Sequence, residues 1–146
     1  EELDATMERE IISASSDGDS VGGVVECITT GLPIGFGGIW FEALDSEIAG
    51  AVFSIPACKG VEFGRGFGLA GGMSDGAPMV FRAVFKPTPS IAKPQRTVDI
   101  ETMKNAEVSV EGRHDPCIVP RAVSVVEAVT ALVLADQMMR GPGRSV

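Results

Sequence analysis

MVFRAVFKPTPSI, residues 79–91, contains the strongest strand signal in the chain. Residues 79–87 are rich in the β-branched and aromatic side chains that favour strands, and the strand stops at Pro87. The residues at its end combine Lys86, Thr88 and Ser90 with two prolines. This stretch predicts a strand that leads into a stiff, polar turn.

Further strands and helices are predicted on both sides of this stretch. Strand-like segments occupy residues 21–33, 57–67, 97–103 and 106–112. Apolar residues at helical spacing mark residues 3–15 and 38–56 and predict a long helix within 119–140 that stops at Gly141. This order of elements predicts an α+β fold in which helices pack on a largely antiparallel sheet. A length of 146 residues fits a single domain, residues 1–146.

The composition excludes several classes of protein. With 45% hydrophobic and 22% charged residues, the chain is typical of a soluble globular protein. No run reaches the ~18 to 20 apolar residues of a membrane span, and from the acidic start EELDATMERE we expect no signal peptide. The three cysteines form no CxxC pair, which favours a reducing compartment and predicts neither a disulfide framework nor a metal site.

The distribution of charge points towards a small anionic ligand. The net charge of −8 argues against nucleic acid as a partner. Residues 59–121 nevertheless carry nine basic and seven acidic residues, whereas residues 1–58 carry one and eleven. A local cationic region suits a small bound anion. The same clustering also arises from solvated lysines and arginines, and charge alone leaves both interpretations open.

A glycine-rich segment, residues 66–71, fits the pattern GxGxxG after a predicted strand. A dinucleotide site of the Rossmann type requires the third glycine to open a helix. Here Pro78 lies where that helix should grow, and no acidic residue follows about twenty positions later, where the ribose ligand belongs. We therefore expect a flexible loop, or backbone amides that approach an anion closely.

The turn at residues 86–90 carries one cation and two hydroxyls. Lys86 is a point charge, Thr88 and Ser90 supply hydroxyl groups, and Pro87 and Pro89 stiffen the backbone between them. These groups can form a phosphate cradle, although the spacing is not that of a P-loop. An ordinary proline-stiffened loop is the other interpretation.

The only histidine, His114, lies in RHDPC, residues 113–117, just before the last predicted helix. Asp115 precedes a proline and can simply cap that helix, while His114 can be a solvated imidazole. Alternatively, Arg113 binds an anion and a partly buried Asp115 handles a proton. Adjacent side chains often point in different directions, so this motif alone does not decide between the two.

Taken in order along the chain, these motifs resemble the C-terminal part of the chorismate synthases. The resemblance covers nearly the whole sequence. It rests on the earlier motifs GDSVGG (18–23), GLPIGFG (31–37) and ALDSEIAGAVFSIPACKGVEFG (43–64) and on the later GGMSDGAP (71–78), FKPTPSI (85–91), RTVD (96–99), GRHDPCIVPRAV (112–123) and VVEAVTALVLAD (125–136).

The resemblance implies a β-α-β sandwich fold and a lyase of aromatic amino-acid biosynthesis, in the shikimate pathway. Members catalyse the trans-1,4 elimination of phosphate from 5-enolpyruvylshikimate 3-phosphate, which yields chorismate. They need reduced FMN and are associated with NADPH. The family further implies a cytoplasmic homotetramer that binds neither nucleic acid nor membranes.

The resemblance also assigns roles to individual residues. The FMN-binding loop corresponds to Lys86, Pro87, Thr88, Pro89 and Ser90. Gly71 matches a glycine that touches the flavin, and Arg113 an arginine at the flavin and the substrate. Asp115 matches a catalytic aspartate near the flavin N5, so His114 is its neighbour and not the catalytic group.

Two segments of the family pattern are not found in this sequence. The family's N-terminal half contains its two catalytic histidines and several substrate-binding arginines. The family also has a few tens of residues where only residues 68–70 separate Phe67 from Gly71 here. The alternative to an active lyase is therefore a non-catalytic fragment that folds or oligomerises without turnover.

Overall fold

The computed structural model describes residues 2–64 and 68–142. The helices are α1 (Glu2–Ser16), α2 (Leu44–Phe53) and α3 (Val119–Arg140). The strands are β1 (Gly23–Thr29), β2 (Cys58–Phe63), β3 (Leu69–Ala70), β4 (Met73–Ser74), β5 (Met79–Phe85), β6 (Gln95–Asp99) and β7 (Lys104–Val108). The prediction of an α+β fold is confirmed.

The chain divides into two compact units. The first comprises Glu1–Gly23 and Lys86–Ile118, and the second comprises Val24–Phe85 and Val119–Val146. The first unit therefore contains α1 and the antiparallel hairpin β6–β7, and the second contains the three-stranded sheet with α2 and α3. That residues 1–146 form one domain stays a prediction.

The core of the second unit is built on β5, the central strand of a sheet with the order β1-β5-β2. Alternate side chains of a strand point to opposite faces. On β5 one face is buried along its whole length, whereas Arg82 and Val84 on the other face are exposed. Its antiparallel neighbour β2 places the ring of Phe63 5.6 Å from that of Phe81. The predicted strand at residues 79–87 is thus the centre of the sheet.

Two helices complete this unit. Leu44, Ile48 and Val52 recur every four residues on α2 and are fully buried, as helical periodicity requires. α2 packs on β2 and on α3. α3 ends where Gly141 adopts φ +83° and its N–H bonds to the Gln137 carbonyl, 3.1 Å away. This left-handed glycine cap confirms the predicted helix stop.

α3 bears on the expectation that no segment is apolar enough to span a membrane. Within residues 2–64 and 68–142, it is the single helix whose length and composition would allow it to cross a membrane, with a mean hydropathy of 1.5 over 18 residues. Only 22% of that window is buried. A single such helix is weak support for a membrane span, because core helices meet the same test. That the protein binds no membrane stays a prediction.

The helix predicted at residues 38–56 was too long. Trp40–Glu42 form a 3-10 turn, Ala43 is extended, and the α-helix begins only at Leu44. The cause is tertiary. The Leu44 N–H donates to the Gly72 carbonyl at 2.8 Å, and the Gly38 N–H donates to the Glu42 carbonyl at 2.8 Å. These bonds hold residues 38–44 against the β3–β4 hairpin instead of in a helix.

The strands predicted at residues 97–103 and 106–112 form the hairpin β6–β7, but each begins two residues earlier and ends four residues earlier than predicted. Asp99 ends the first strand because its carboxylate accepts hydrogen bonds from the Glu101 amide (2.9 Å) and the Thr102 hydroxyl (2.8 Å). These bonds, that of Thr102 most strongly, lower the pKa of Asp99. The side chain of Asp99 therefore sets the turn that periodicity alone misplaced.

The glycine-rich segment forms a small hairpin. β3 and β4 pair antiparallel, with Leu69 opposite Ser74. Gly71 and Gly72 make the turn with φ values of +61° and +88°. Of the GxGxxG pattern, residues 66 and 67 lie outside the described residues. Gly71 lies in a hairpin turn and does not begin a helix. The rejection of a Rossmann site from the sequence is therefore consistent with the structure.

Candidate functional site

Three segments of the first unit meet at one turn. We call residues 17–21, which follow α1, the acidic turn, residues 86–90 the proline loop, and residues 113–117 the RHDPC segment. The acidic turn bonds to the other two through adjacent residues. The Ser20 hydroxyl donates to the Thr88 carbonyl at 2.6 Å, and the Val21 N–H donates to the Pro116 carbonyl at 2.8 Å.

The residues just after the proline loop are attached to the same turn. The amides of Ala92 and Lys93 both donate to the Gly18 carbonyl, at 3.0 and 3.2 Å. The Lys93 ammonium bridges two carboxylates, that of Asp17 and, at 3.0 Å, that of Asp19. Because lysine has three donors, one side chain can hold both acids.

The hydrogen bonds of the acidic turn move two pKa values in opposite directions. The pKa of Asp19 is lowered, first by the Ser20 amide that donates to it and then by Lys93. The hydrogen bonds from Lys93 to Asp17 and then to Asp19 raise the pKa of Lys93. The Asp19 contribution to stability is therefore present above pH 3.8 and lost as the pH falls through its folded-state pKa. The Lys93 contribution is present below pH 10.5 and lost as the pH rises through its folded-state pKa.

A titration tests this assignment. In Lys93→Met, we expect the pKa of Asp19 to rise towards 3.8 but to stay below it, because the Ser20 amide, the larger cause, remains. Carboxyl carbon NMR over the acidic pH range measures this value directly. Lys104→Met, which changes an exposed lysine of β7, is the matched control and should leave the Asp19 titration unchanged. An unshifted Asp19 in Lys93→Met would contradict the assignment.

Thr88 is the residue of the proline loop whose side chain is most clearly suited to bind a ligand. Its hydroxyl oxygen is buried and has no hydrogen-bond partner among the described residues, although its carbonyl is bound by Ser20. A buried hydroxyl without a partner costs about 1–3 kcal/mol. Within the same loop, Lys86 is half-buried and forms no ion pair in the described part of the chain, while Ser90 is exposed.

The RHDPC segment has a defined conformation. A carboxylate oxygen of Asp115 accepts the Cys117 N–H at 3.3 Å, and the side chain is half-buried. α3 begins only at Val119, so Asp115 is not its N-cap residue. The His114 Nε2 lies 2.6 Å from the Val110 carbonyl and must donate to it. The histidine thus anchors its own backbone, while the Arg113 side chain is exposed.

The residues predicted from the sequence fall in both units. Lys86–Ser90, Arg113 and Asp115 belong to the first unit, and the acidic turn joins their segments. Gly71 belongs to the second unit, where it is exposed at the β3–β4 turn. Sequence reasoning missed Ser20 and Lys93. The local signal next to Ser20 is an Asp-Gly-Asp turn after a helix. It does not reveal that the partners of this turn, Thr88 and Lys93, lie more than 60 residues away.

Comparisons with known proteins identify the family. A family model described as chorismate synthase matches residues 1–70 and 68–139. The chain belongs to the chorismate synthase family. A chorismate synthase of Korarchaeum cryptofilum is 45% identical over 169 residues, covering 96% of this chain and 47% of that protein. One of Archaeoglobus fulgidus is 51% identical over 153 residues, covering 85% and 42%.

A solved structure supports the same conclusion. The chain resembles a crystal structure of chorismate synthase with a TM-score of 0.72 and 28% identity, over 95% of this chain and 44% of that one. The chain therefore spans about half the length of the chorismate synthases it matches.

The comparisons also bear on the short connection between Phe67 and Gly71. The two blocks matched by the chorismate synthase model meet at residues 68–70. The alignment with the Korarchaeum cryptofilum relative runs over 169 residues, more than the 146 residues of this chain. The relative thus has residues that this sequence lacks.

Proposed function

We propose that this chain is the flavin-binding part of a chorismate synthase that eliminates phosphate from 5-enolpyruvylshikimate 3-phosphate to form chorismate. One observation carries the proposal. The proline loop and the RHDPC segment are hydrogen-bonded to adjacent residues of the acidic turn, Ser20 and Val21. These are the two segments that the resemblance assigns to FMN, and they are 23 positions or more apart in the sequence. Membership of the family supports the reaction itself.

The residues present fit a flavin. The unsatisfied Thr88 hydroxyl and the Lys86 ammonium would bind anionic or polar groups of FMN, together with Ser90. The exposed guanidinium of Arg113 is suited to bidentate binding of phosphate or carboxylate oxygens. When bound, reduced FMN would supply electron density to the breaking C–O bond and accept a proton.

The roles of this chain in the reaction follow from charge and position. Negative charge grows on the phosphate oxygens as the phosphate leaves, and a cation such as Arg113 beside them would stabilise that change. The Asp115 carboxylate would hold or relay the proton that departs from carbon. Its bond to the Cys117 amide fixes the orientation of the carboxylate for that task.

Assembly and location complete the proposal. We infer that the protein acts in the cytoplasm as a homotetramer with NADPH as the source of reducing equivalents, as in the family. Exposed apolar residues on α3 offer contact area for the rest of such an assembly. They include Val123, Val125, Leu132, Met138 and Met139.

An activity assay tests the proposed function. The chain is assayed with reduced FMN and 5-enolpyruvylshikimate 3-phosphate, alone and fused to the part of the Archaeoglobus fulgidus relative that it does not span. We expect chorismate from the fusion. A fusion that folds and binds FMN but forms no chorismate would contradict the proposal and favour a non-catalytic fragment.

The buried hydroxyl makes a separate prediction. Thr88→Val keeps the shape of the side chain and removes a hydroxyl without a partner, so the free chain should gain up to about 1 kcal/mol of stability. The same variant should bind FMN about tenfold more weakly, since one hydrogen bond to the flavin is lost. Urea unfolding and flavin fluorescence measure the two effects.

Thr130→Val is the matched control for Thr88→Val. The Thr130 hydroxyl is also buried, but it donates to the Val126 carbonyl at 2.7 Å. Its removal should lower stability by about 1 kcal/mol, with no effect on FMN. If Thr88→Val destabilises the chain as Thr130→Val does and leaves FMN affinity intact, the Thr88 hydroxyl does not serve the flavin.

A further inference from the structure

We propose that Lys93 and the acidic turn form a positioning device that holds both flavin-binding segments in their binding conformation. The inference rests on the proposed function, because it takes the proline loop and the RHDPC segment to be those segments. Lys93 itself lies outside both of them, so it is a positioning residue and not a catalytic one.

The first contact of this device is made by the backbone. The Gly18 carbonyl accepts both the Ala92 and Lys93 amides, which fixes the exit of the proline loop. Gly18 adopts φ +66°, and a β-carbon on it would lie 3.3 Å from the Ala92 β-carbon. A glycine therefore suits this close approach better than any residue with a side chain.

The second contact is a relay of side chains that reaches Thr88. Lys93 pairs with Asp19, and the other oxygen of the Asp19 carboxylate accepts the Ser20 N–H at 2.8 Å. Ser20, oriented in this way, donates its hydroxyl to the Thr88 carbonyl. The hydrogen-bond chain that starts at Lys93 thus ends on Thr88, whose own hydroxyl has no partner within residues 2–64 and 68–142.

The third contact extends the device to the RHDPC segment. The residue after Ser20, Val21, donates its N–H to the Pro116 carbonyl, next to Asp115. A displacement of the acidic turn would therefore move both segments together. Asp17 adds a second carboxylate to Lys93, which strengthens the attachment of the acidic turn to Lys93.

Hydrogen exchange tests this inference without any flavin. In Lys93→Met, the amides of Val21, Ala92 and residue 93 should exchange about three- to tenfold faster, because two ion pairs that restrain the turn are lost. Lys93→Arg restores a cation that can bridge both acids and should return exchange to within about twofold of the parent chain. Lys104→Met is the matched control and should leave these amides unchanged.

FMN affinity is the second measurement. Flavin fluorescence should give an FMN dissociation constant about tenfold higher for Lys93→Met, with substantial recovery in Lys93→Arg. Parent-like exchange rates in Lys93→Met would overturn the inference, as would a parent-like FMN affinity or a Lys93→Arg variant as impaired as Lys93→Met. If Lys93→Met does not fold, Asp17→Asn, an exposed change, should show the same faster exchange to a smaller degree, and unchanged exchange would overturn it.

The two proposals fail in different ways. If the parent chain and its fusion to the Archaeoglobus fulgidus segment do not bind FMN, the proposed function is wrong. The exchange rates in the unliganded chain still decide whether Lys93 fixes the two segments. If FMN binds the parent and Lys93→Met equally, the proposed function stands and the positioning role is wrong.

Discussion

Asp115→Asn is expected to lower the turnover of the fusion protein by about 10²- to 10⁴-fold, the usual effect of removing a general acid or base. Asparagine keeps an oxygen that can accept the Cys117 amide, so the local turn is preserved. It cannot exchange a proton at neutral pH. We therefore expect FMN affinity to change little while kcat falls. Chorismate formation and flavin fluorescence measure the two quantities on the same sample.

Asp99→Asn is the matched control for Asp115→Asn. Asp99 also accepts the amide two residues ahead, that of Glu101, but it lies exposed at the end of β6. Its replacement should leave kcat unchanged. Turnover that is equal for Asp115→Asn and the parent would remove Asp115 from the reaction. An equal loss in both variants would instead indicate a general effect of removing a carboxylate.

Gly72→Ala is expected to destabilise the second unit by about 3 kcal/mol or more, from backbone strain and overpacking together. Gly72 adopts φ +88°, and a β-carbon on it would lie 2.4 Å from the Gly38 carbonyl oxygen. That oxygen has little freedom to move. The Gly38 amide is bonded to Glu42, and the Gly72 carbonyl is bonded to the Leu44 amide at the start of α2. Urea unfolding followed by circular dichroism measures the loss.

The adjacent glycine is the control for Gly72→Ala. Gly71 has a similar φ, +61°, but no atom of the part of the chain that the structure describes lies within 4 Å of the position of its β-carbon. Gly71→Ala should therefore cost only the left-handed backbone conformation, about 1–2 kcal/mol. If Gly71 touches the flavin, as the resemblance implies, this variant should fold and bind FMN more weakly. Equal losses of stability in the two variants would mean that the close approach to the Gly38 carbonyl oxygen does not contribute to the destabilisation.

Local sequence patterns predicted the elements that depend on local interactions. The helix at residues 3–15 and the strand at residues 79–87 appear as α1 and β5, and α3 ends at Arg140, just before Gly141. In each case the periodicity of apolar side chains or a glycine stop acts within a few residues. The α+β class followed from the order of these elements.

The candidate site was predicted in part. The resemblance pointed to Lys86–Ser90, Arg113 and Asp115, whose segments the acidic turn joins. Their assigned roles stay predictions. Local pattern did not reveal that Ser20 binds Thr88, because 68 residues separate them. Lys93 was also missed, since a lysine in a polar loop looks the same whether it is solvated or paired.

The sequence by itself determined the family, the α+β class and the residues that can carry charge and protons, because these depend on residue identity and short-range periodicity. Only the tertiary structure decided where α2 begins, that the Thr88 hydroxyl has no partner among the described residues, and that the acidic turn joins the proline loop to the RHDPC segment. Those outcomes depend on contacts such as Leu44 with Gly72 and Lys93 with Asp19, made between residues far apart in the chain. Such contacts form only when the backbone closes, and no local pattern encodes them.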